Sequence, residues 1–354
     1  MSNFEPNGII RGVQLTLVGA HRALQNPKIF TTEHYRQVAY AVAAGMGIRL
    51  LVAIPIITVK LSLRLLSVVY PLDKVSWDDS IISLLNFTAD SVLQVPFFLM
   101  TVMRYFVPTL DNLFMQSLEW VDITYVQKHK HDNPDDLRDL YYPNLSSCQS
   151  HSSQQPRRKG GQSVNKFITK FARRACLSIA IFSLSYLPMV GKLVLPMASF
   201  YTFHKGVGLG PAALIFSTGL FLPRRYLFIF LQSYYASRNL MRELLEPYFA
   251  RVPFTKEEKR NWFRNREGVL FGFAIGFYLI MRVPLFGVLM YGIAEASTAY
   301  LITKITDPPP QPTQMREFAT RQQNWRNKHE FLKSSIANID NLRREPVLMT
   351  EKEL

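Results

Sequence analysis

Three stretches of this chain are too apolar and too sparsely charged to form an ordinary soluble surface, and strongly basic sequence separates them. The first holds residues 38–59, interrupted by Arg49, and 81–103, interrupted by Asp90. The second holds residues 175–200, charged only at Lys192, and 206–235, whose charges begin at Arg224 and Arg225. The third runs from Gly268 to Thr303 and is charged only at Arg282 and Glu295. A hydrocarbon layer about 30 Å thick takes roughly 20 apolar residues of helix to cross. Each stretch therefore predicts a pair of membrane helices. Composition agrees, with 48% hydrophobic and only 19% charged residues, where a soluble domain carries about 25% charge.

Turn chemistry and charge give the expected topology. Glycine and proline punctuate helices, and they fall where each pair must reverse: Pro71 in the first, Pro188, Gly191 and Pro196 and then Gly206 to Pro211 around the second, Pro284 and Gly287 in the third. Lys and Arg number 4 in residues 1–37, 10 in 126–174, 8 in 236–267 and 9 in 304–354. Cytosolic segments carry such an excess, so both termini and both long loops are expected to face the cytosol. The expectation is thus an all-α, polytopic integral membrane protein: an amphipathic segment 1–37, a first helix pair 38–125, a basic and partly disordered linker 126–174, a second pair 175–235, a basic loop 236–267, a third hairpin 268–303 and a tail 304–354. Residues 268–281 and 283–294 are short for a full crossing, so the third hairpin is expected to enter one leaflet and return.

Near the start, Ile9, Ile10, Val13, Leu17, Ala20 and Leu24 recur at helical spacing, opposite Arg11, Gln14 and Gln25. That is one amphipathic helix ending at Asn26-Pro27, expected to lie along an interface or to pack as a core helix. Residues 1–8 have neither a basic start nor an apolar core, so targeting is expected to be internal. The two cysteines, Cys148 and Cys176, exclude a disulfide scaffold.

Catalytic chemistry finds little support. His131 and Asp136 have a histidine-to-carboxylate spacing used by acyltransferases, but they sit in a polar loop with no glycine-rich phosphate cradle, and the solvated-loop reading is preferred. His129 and His131 have no further ligands to complete a metal site. No enzyme activity, cofactor, metal or nucleic acid is expected. The embedded charges Arg49, Asp90, Lys192, Arg282 and Glu295 are more informative, because a charge at bilayer depth costs about 3 kcal/mol and usually has a role. They are the candidates for an anion path, with Asp90 and Glu295 as counter-charges. The expected partners are membrane lipids with anionic headgroups on the cytosolic face, and a homo-oligomer is compatible with the sequence.

The segments GVQLTLVGAHRALQNPKIF, YLPMVGKLVLPMASFYTFHKGVGLGP and VPLFGVLMYGIAEASTAYL carry a resemblance. Together they look like the layout of CysZ-like, etoposide-induced-type membrane proteins. Nearer still, the chain resembles fungal UsgS-type transmembrane proteins and the Lds-type lipid-droplet and spore-wall proteins of yeasts. Pro27, Pro188, Gly191, Pro196, Pro284, Gly287, Gly292 and Glu295 hold the matching positions. The resemblance implies helices that only partly penetrate the membrane, at the endoplasmic reticulum or lipid droplet. It also implies a non-enzymatic role in organising lipid or supporting cell-wall and spore development, with sulfate-like anion transport as the alternative.

Overall fold

The computed structural model describes residues 5–30, 109–133, 137–148, 224–281 and 286–334, with isolated helical positions between 43 and 217. Ten α-helices are named here among the described residues: α1 (Pro6–Leu24), α2 (Thr109–Lys128), α3 (Tyr142–Ser147), α4 (Arg224–Leu244), α5 (Glu246–Arg251), α6 (Lys256–Asn265), α7 (Glu267–Met281), α8 (Phe286–Ile305), α9 (Met315–Arg321) and α10 (Lys328–Lys333). The described residues contain no strand.

The centre of the fold is α7, whose sequence after Glu267 is apolar throughout. An all-apolar helix must be surrounded, either by lipid or by protein. Here α1, α4 and α8 surround it, and Leu270, Phe273, Ala274, Phe277 and Met281 are buried among them. The second long helix of this region, α8, lies against α2 through buried positions that include Leu113, Phe114 and Leu118 of α2. It also buries Glu295, Ser297 and Thr298 among its apolar residues.

These facts correct the membrane architecture expected from the sequence. Among the described residues, no helix is long and apolar enough to cross a membrane. At 15 residues, α7 is about 22 Å long, and the 20-residue α8 is diluted by buried polar groups. Where the burial of this stretch is described, in residues 268–281 and 290–303, most of the apolar side chains lie inside a protein core, against the membrane hairpin expected there. The three-hairpin polytopic fold is corrected to an all-helical packing, and the integral location at reticulum or droplet with cytosolic termini is corrected with it. Most of the first and second expected pairs lies outside the described residues.

The seam between α1 and α7 is made by missing side chains. Gly8 faces Gly268, Gly12 faces Gly272, and Thr16 faces Gly276, so the helices run side by side in one direction. A methyl group built on Gly12 would lie 2.2 Å from the Val269 carbonyl oxygen, and one on Gly272 would lie 2.0 Å from that of Ile9. Only glycine lets two backbones approach so closely. The Thr16 hydroxyl then crosses the seam to donate to the Phe273 carbonyl at 3.0 Å.

Around this core the connecting segments are tied down by charge. The Asp122 carboxylate accepts from the Tyr141 and Tyr142 amides at 2.7 Å each and from Arg138 at 2.9 Å, which anchors α3 to α2. Arg251 grips Asp111 with two bonds of 2.8 and 2.7 Å, tying α5 to α2. At the start of α6, Thr255 and Glu258 form a reciprocal capping box. The same Glu258 carboxylate takes both guanidinium nitrogens of Arg316 from α9, at 2.6 and 2.8 Å.

Arg266, between α6 and α7, is the most deeply buried cation of this set, at 1% exposure. It donates through Nε to the Ile305 carbonyl at 2.8 Å and lies over the rings of Trp262 and Trp325. Burial holds its pKa down, to about 10. Finally, α10 returns to α1: Lys328 pairs with Glu5 at 2.8 Å, and Arg11 donates to the Leu332 and Ser334 carbonyls.

Candidate functional site

The helix α1 forms where the sequence periodicity places it, but its two faces are the reverse of an ordinary amphipathic helix. Its buried face consists of Gly8, Arg11, Gly12, Leu15, Thr16, Gly19 and Ala23. Its outward face carries Ile10, Val13, Leu17 and Leu24, at 57%, 39%, 69% and 49% exposure. The physical reason lies in the seam just described: the inner face is given over to close backbone contact, which large side chains would prevent. Arg11, expected on the polar side, is turned inward onto the carbonyls at the end of α10, and burial pushes its pKa down. The helix contains no carboxylate, and His21 and Arg22 stand in its last turn. Leu279 and Ile280, on the part of α7 that runs beside the C-terminal half of α1, are also exposed. The result is an apolar row held in fixed orientation with only basic groups at its end.

A concave feature lies between α4 and α7. It is a small, partly open pocket lined by Tyr234, Arg238, Met241, Phe263, Glu267, Leu270 and Phe271. Tyr234 and Arg238 are one turn apart on α4, so both reach Glu267 at the first position of α7. The Tyr234 hydroxyl donates to Glu267 Oε1 at 3.3 Å, and Arg238 donates to the Tyr234 oxygen at 3.4 Å. Arg238 Nη2 stands 3.6 Å from the same carboxylate oxygen. Burial raises the pKa of Glu267, although Arg238, Arg264 and Arg242 all favour its charged form. Burial likewise raises the Tyr234 phenol, with the Glu267 charge acting in the same direction.

Of the candidates named from sequence, Arg49, Asp90, Lys192, Arg282, Pro188, Gly191, Pro196 and Pro284 lie outside the described residues. Gly287 is in the first turn of α8. Glu295 is in the middle of α8 and is fully buried. Asp136 is likewise outside the described residues, and the pair that forms nearby is His129 Nδ1 with Asp132 Oδ2, at 2.7 Å. His131 is exposed. No group of three or more metal-ligating side chains occurs among the described residues. The Cys148 thiol is half-buried, with its pKa raised by that burial, and Cys176 is outside the described residues.

The sequence reading missed Tyr234, Arg238 and Glu267. The spacing of Tyr234 and Arg238 puts them on one helix face, and Glu267 is the last charge before the apolar run of α7. What no local pattern shows is that α4 and α7 meet there. No family model, curated protein or solved structure matches this chain.

Proposed function

We propose that the protein is a non-enzymatic lipid-binding protein that docks on a lipid surface through the outer face of α1. The observation that carries this reading is the exposed row Ile10, Val13, Leu17 and Leu24 on a helix fixed by its glycine seam. Exposed apolar patches on a folded protein mark interaction sites. A lipid surface fits this one because the row is straight and convex, and because α1 lacks carboxylates that anionic headgroups would repel. The net charge of +15 favours the same surface.

The magnitudes describe a reversible attachment. Each row residue is about half exposed, so its insertion is worth about 1 kcal/mol, and the row about 4 kcal/mol. Basic groups near an anionic surface add about 1 kcal/mol each. Such docking inserts one helix face into the headgroup boundary and needs no segment to cross.

The test is co-sedimentation of the full chain with vesicles of neutral phospholipid, with and without an anionic lipid. Wild-type protein is expected to sediment with the vesicles, more strongly with the anionic lipid. Leu17→Asp should weaken vesicle binding at least about tenfold, or 1.4 kcal/mol, while leaving the melting temperature nearly unchanged. Equal binding by the folded variant would remove α1 from the mechanism.

A further inference from the structure

The exposed stripe of α1 holds one residue that is not apolar. After Pro6 and Asn7 in the first turn, the exposed positions of this helix are Ile10, Val13, Leu17, His21 and Leu24. Spacings of three and four residues keep them on one face. His21 follows Leu17 by one turn and precedes Leu24 by three residues, so a surface that takes both leucines must also take the imidazole. On the opposite side of the same two turns, Gly19 and Ala23 are buried, Gly19 against Ser297 of α8. The helix therefore cannot roll to withdraw His21 while keeping the leucines in place.

A histidine side chain changes charge between about pH 5 and 8, so the charges around it matter. The elements packed most closely on α1 are α7, α8, α10 and the turn at residues 27–30. On α7 the charged side chain is Glu267, at the Gly8 end of the seam and about 20 Å of helix from His21. The helix α10 brings Lys328, His329, Glu330 and Lys333, and Lys328 pairs with Glu5 at that same distant end. On α8 the charges are Glu295, fully buried, and Lys304. Beyond the end of α1, Lys28 is held by Glu119 of α2 at 2.7 Å, and Arg22 of α1 itself is half-buried. The tyrosines of α7 and α8, Tyr278, Tyr291 and Tyr300, are buried. His21 is thus the titratable group of the outward stripe.

The two forms of the imidazole suit different surfaces. Neutral, it enters the headgroup boundary beside Leu17 and Leu24 as an amphipathic ring. Protonated, it is an ion among inserted leucines. A neutral surface offers no counter-charge for its desolvation, while an anionic one supplies it, at about fivefold in affinity for one basic charge.

We infer that His21 makes lipid docking proton-dependent: in acid the row keeps its hold on an anionic phospholipid surface and loses it on a neutral one. The inference rests on the α1 reading and adds its regulation.

Co-sedimentation of the full chain with phosphatidylcholine vesicles, with and without phosphatidylglycerol, at pH 8 and at pH 5 tests it. Phosphatidylglycerol keeps its charge across this range. On acidification the affinity ratio, anionic over neutral, should rise at least about fivefold more in wild type than in His21→Gln. The glutamine keeps polarity without the titrating nitrogen, and the other histidines contribute alike to both proteins. His21→Leu should bind neutral vesicles at pH 5 at least about fivefold more tightly than wild type, because it adds an apolar member to the row. His21 is exposed, so the melting temperatures of both variants should match wild type at each pH.

An equal rise in wild type and His21→Gln, or neutral-vesicle binding by His21→Leu no tighter than wild type at pH 5, would overturn the inference. If either occurs while Leu17→Asp still weakens binding, the α1 reading stands without proton control. If Leu17→Asp binds as wild type does, or no vesicle is bound, both readings fall together.

Discussion

Two regions of this molecule hold distant parts of the chain together by opposite means. Between α1 and α7 the contact is backbone against backbone, with glycines at Gly8, Gly12, Gly268, Gly272 and Gly276, while Arg11 of α1 turns to the carbonyls at the end of α10. Between α6, the end of α8, and α9 with the segment after it, the contact is long side chains: Glu258 with Arg316, and Arg266 with the Ile305 and Gln322 carbonyls and the Trp262 and Trp325 rings. Close backbone contact tolerates almost no added volume, whereas a side-chain clasp tolerates shape change but depends on charge. The comparison therefore predicts which kind of substitution each region resists.

The largest effect should come from adding bulk to the seam. Gly272→Leu puts a side chain where the Ile9 carbonyl oxygen is 2.0 Å from the new Cβ, so α1 must separate from α7. A destabilisation of at least about 3 kcal/mol is expected, from overpacking and lost burial together. It should be measured by thermal melting, with limited proteolysis reporting release of α1. Gly8→Ala sharpens the point. Its nearest neighbours are at an ordinary 3.6 Å, so the gain in helix propensity over glycine, about 0.8–1 kcal/mol, should survive as a small stabilisation. Equal losses in both variants would mean that close approach is not what selects glycine here.

A somewhat smaller loss is expected in the clasp. Arg266→Met keeps much of the volume but leaves the Ile305 and Gln322 carbonyls without their donor, at a cost of about 2–3 kcal/mol. Arg266→Lys should not restore the loss, since an ammonium cannot lie flat over the two tryptophan rings. Denaturant unfolding of the three proteins side by side measures this.

The smallest effect concerns acid. Arg316 and the Thr255 amide hold the Glu258 pKa down, to about 2 from the usual 4.5. A lowered folded-state pKa stabilises above the unfolded value, so this contribution is present above pH 4.5 and is lost as pH falls towards 2. Melting temperatures of wild type and Glu258→Gln should therefore differ at neutral pH and converge in acid. Glu267 works against this trend, because its raised pKa makes protonation favour the folded state as pH falls.

The contrast between the regions also explains what the sequence revealed. The period of α1 was visible in Ile10, Val13, Leu17 and Leu24, yet it pointed away from the true contact, because glycine contributes nothing to an apolar count. The helical character of residues 268–281 and 286–303 was legible as well, but an apolar surround can be lipid or protein, and the choice depends on α1, α2 and α4 arriving from elsewhere in the chain. Thr255 and Glu258 carry a capping signature that local spacing does disclose. At the pocket, Tyr234 and Arg238 form a readable pair on α4, but their relation to Glu267 exists only after α4 and α7 have packed. Glu295 stood out from sequence as an isolated acid in an apolar run, and the structure finds it fully buried.

The pairing of Gly8 with Gly268 has a consequence in time. Ribosomes add about 5–20 residues per second, so α1 leaves the tunnel roughly 13–50 s before its docking groove on α7 has been made. Throughout that interval the newborn helix has no native surface against which to rest its glycine face, while its leucines and isoleucines are already available to whatever lies nearby. An early occupant of that outward row would shield the nascent chain from self-association during the wait, and would leave the inner face ready to accept α7 when it emerges.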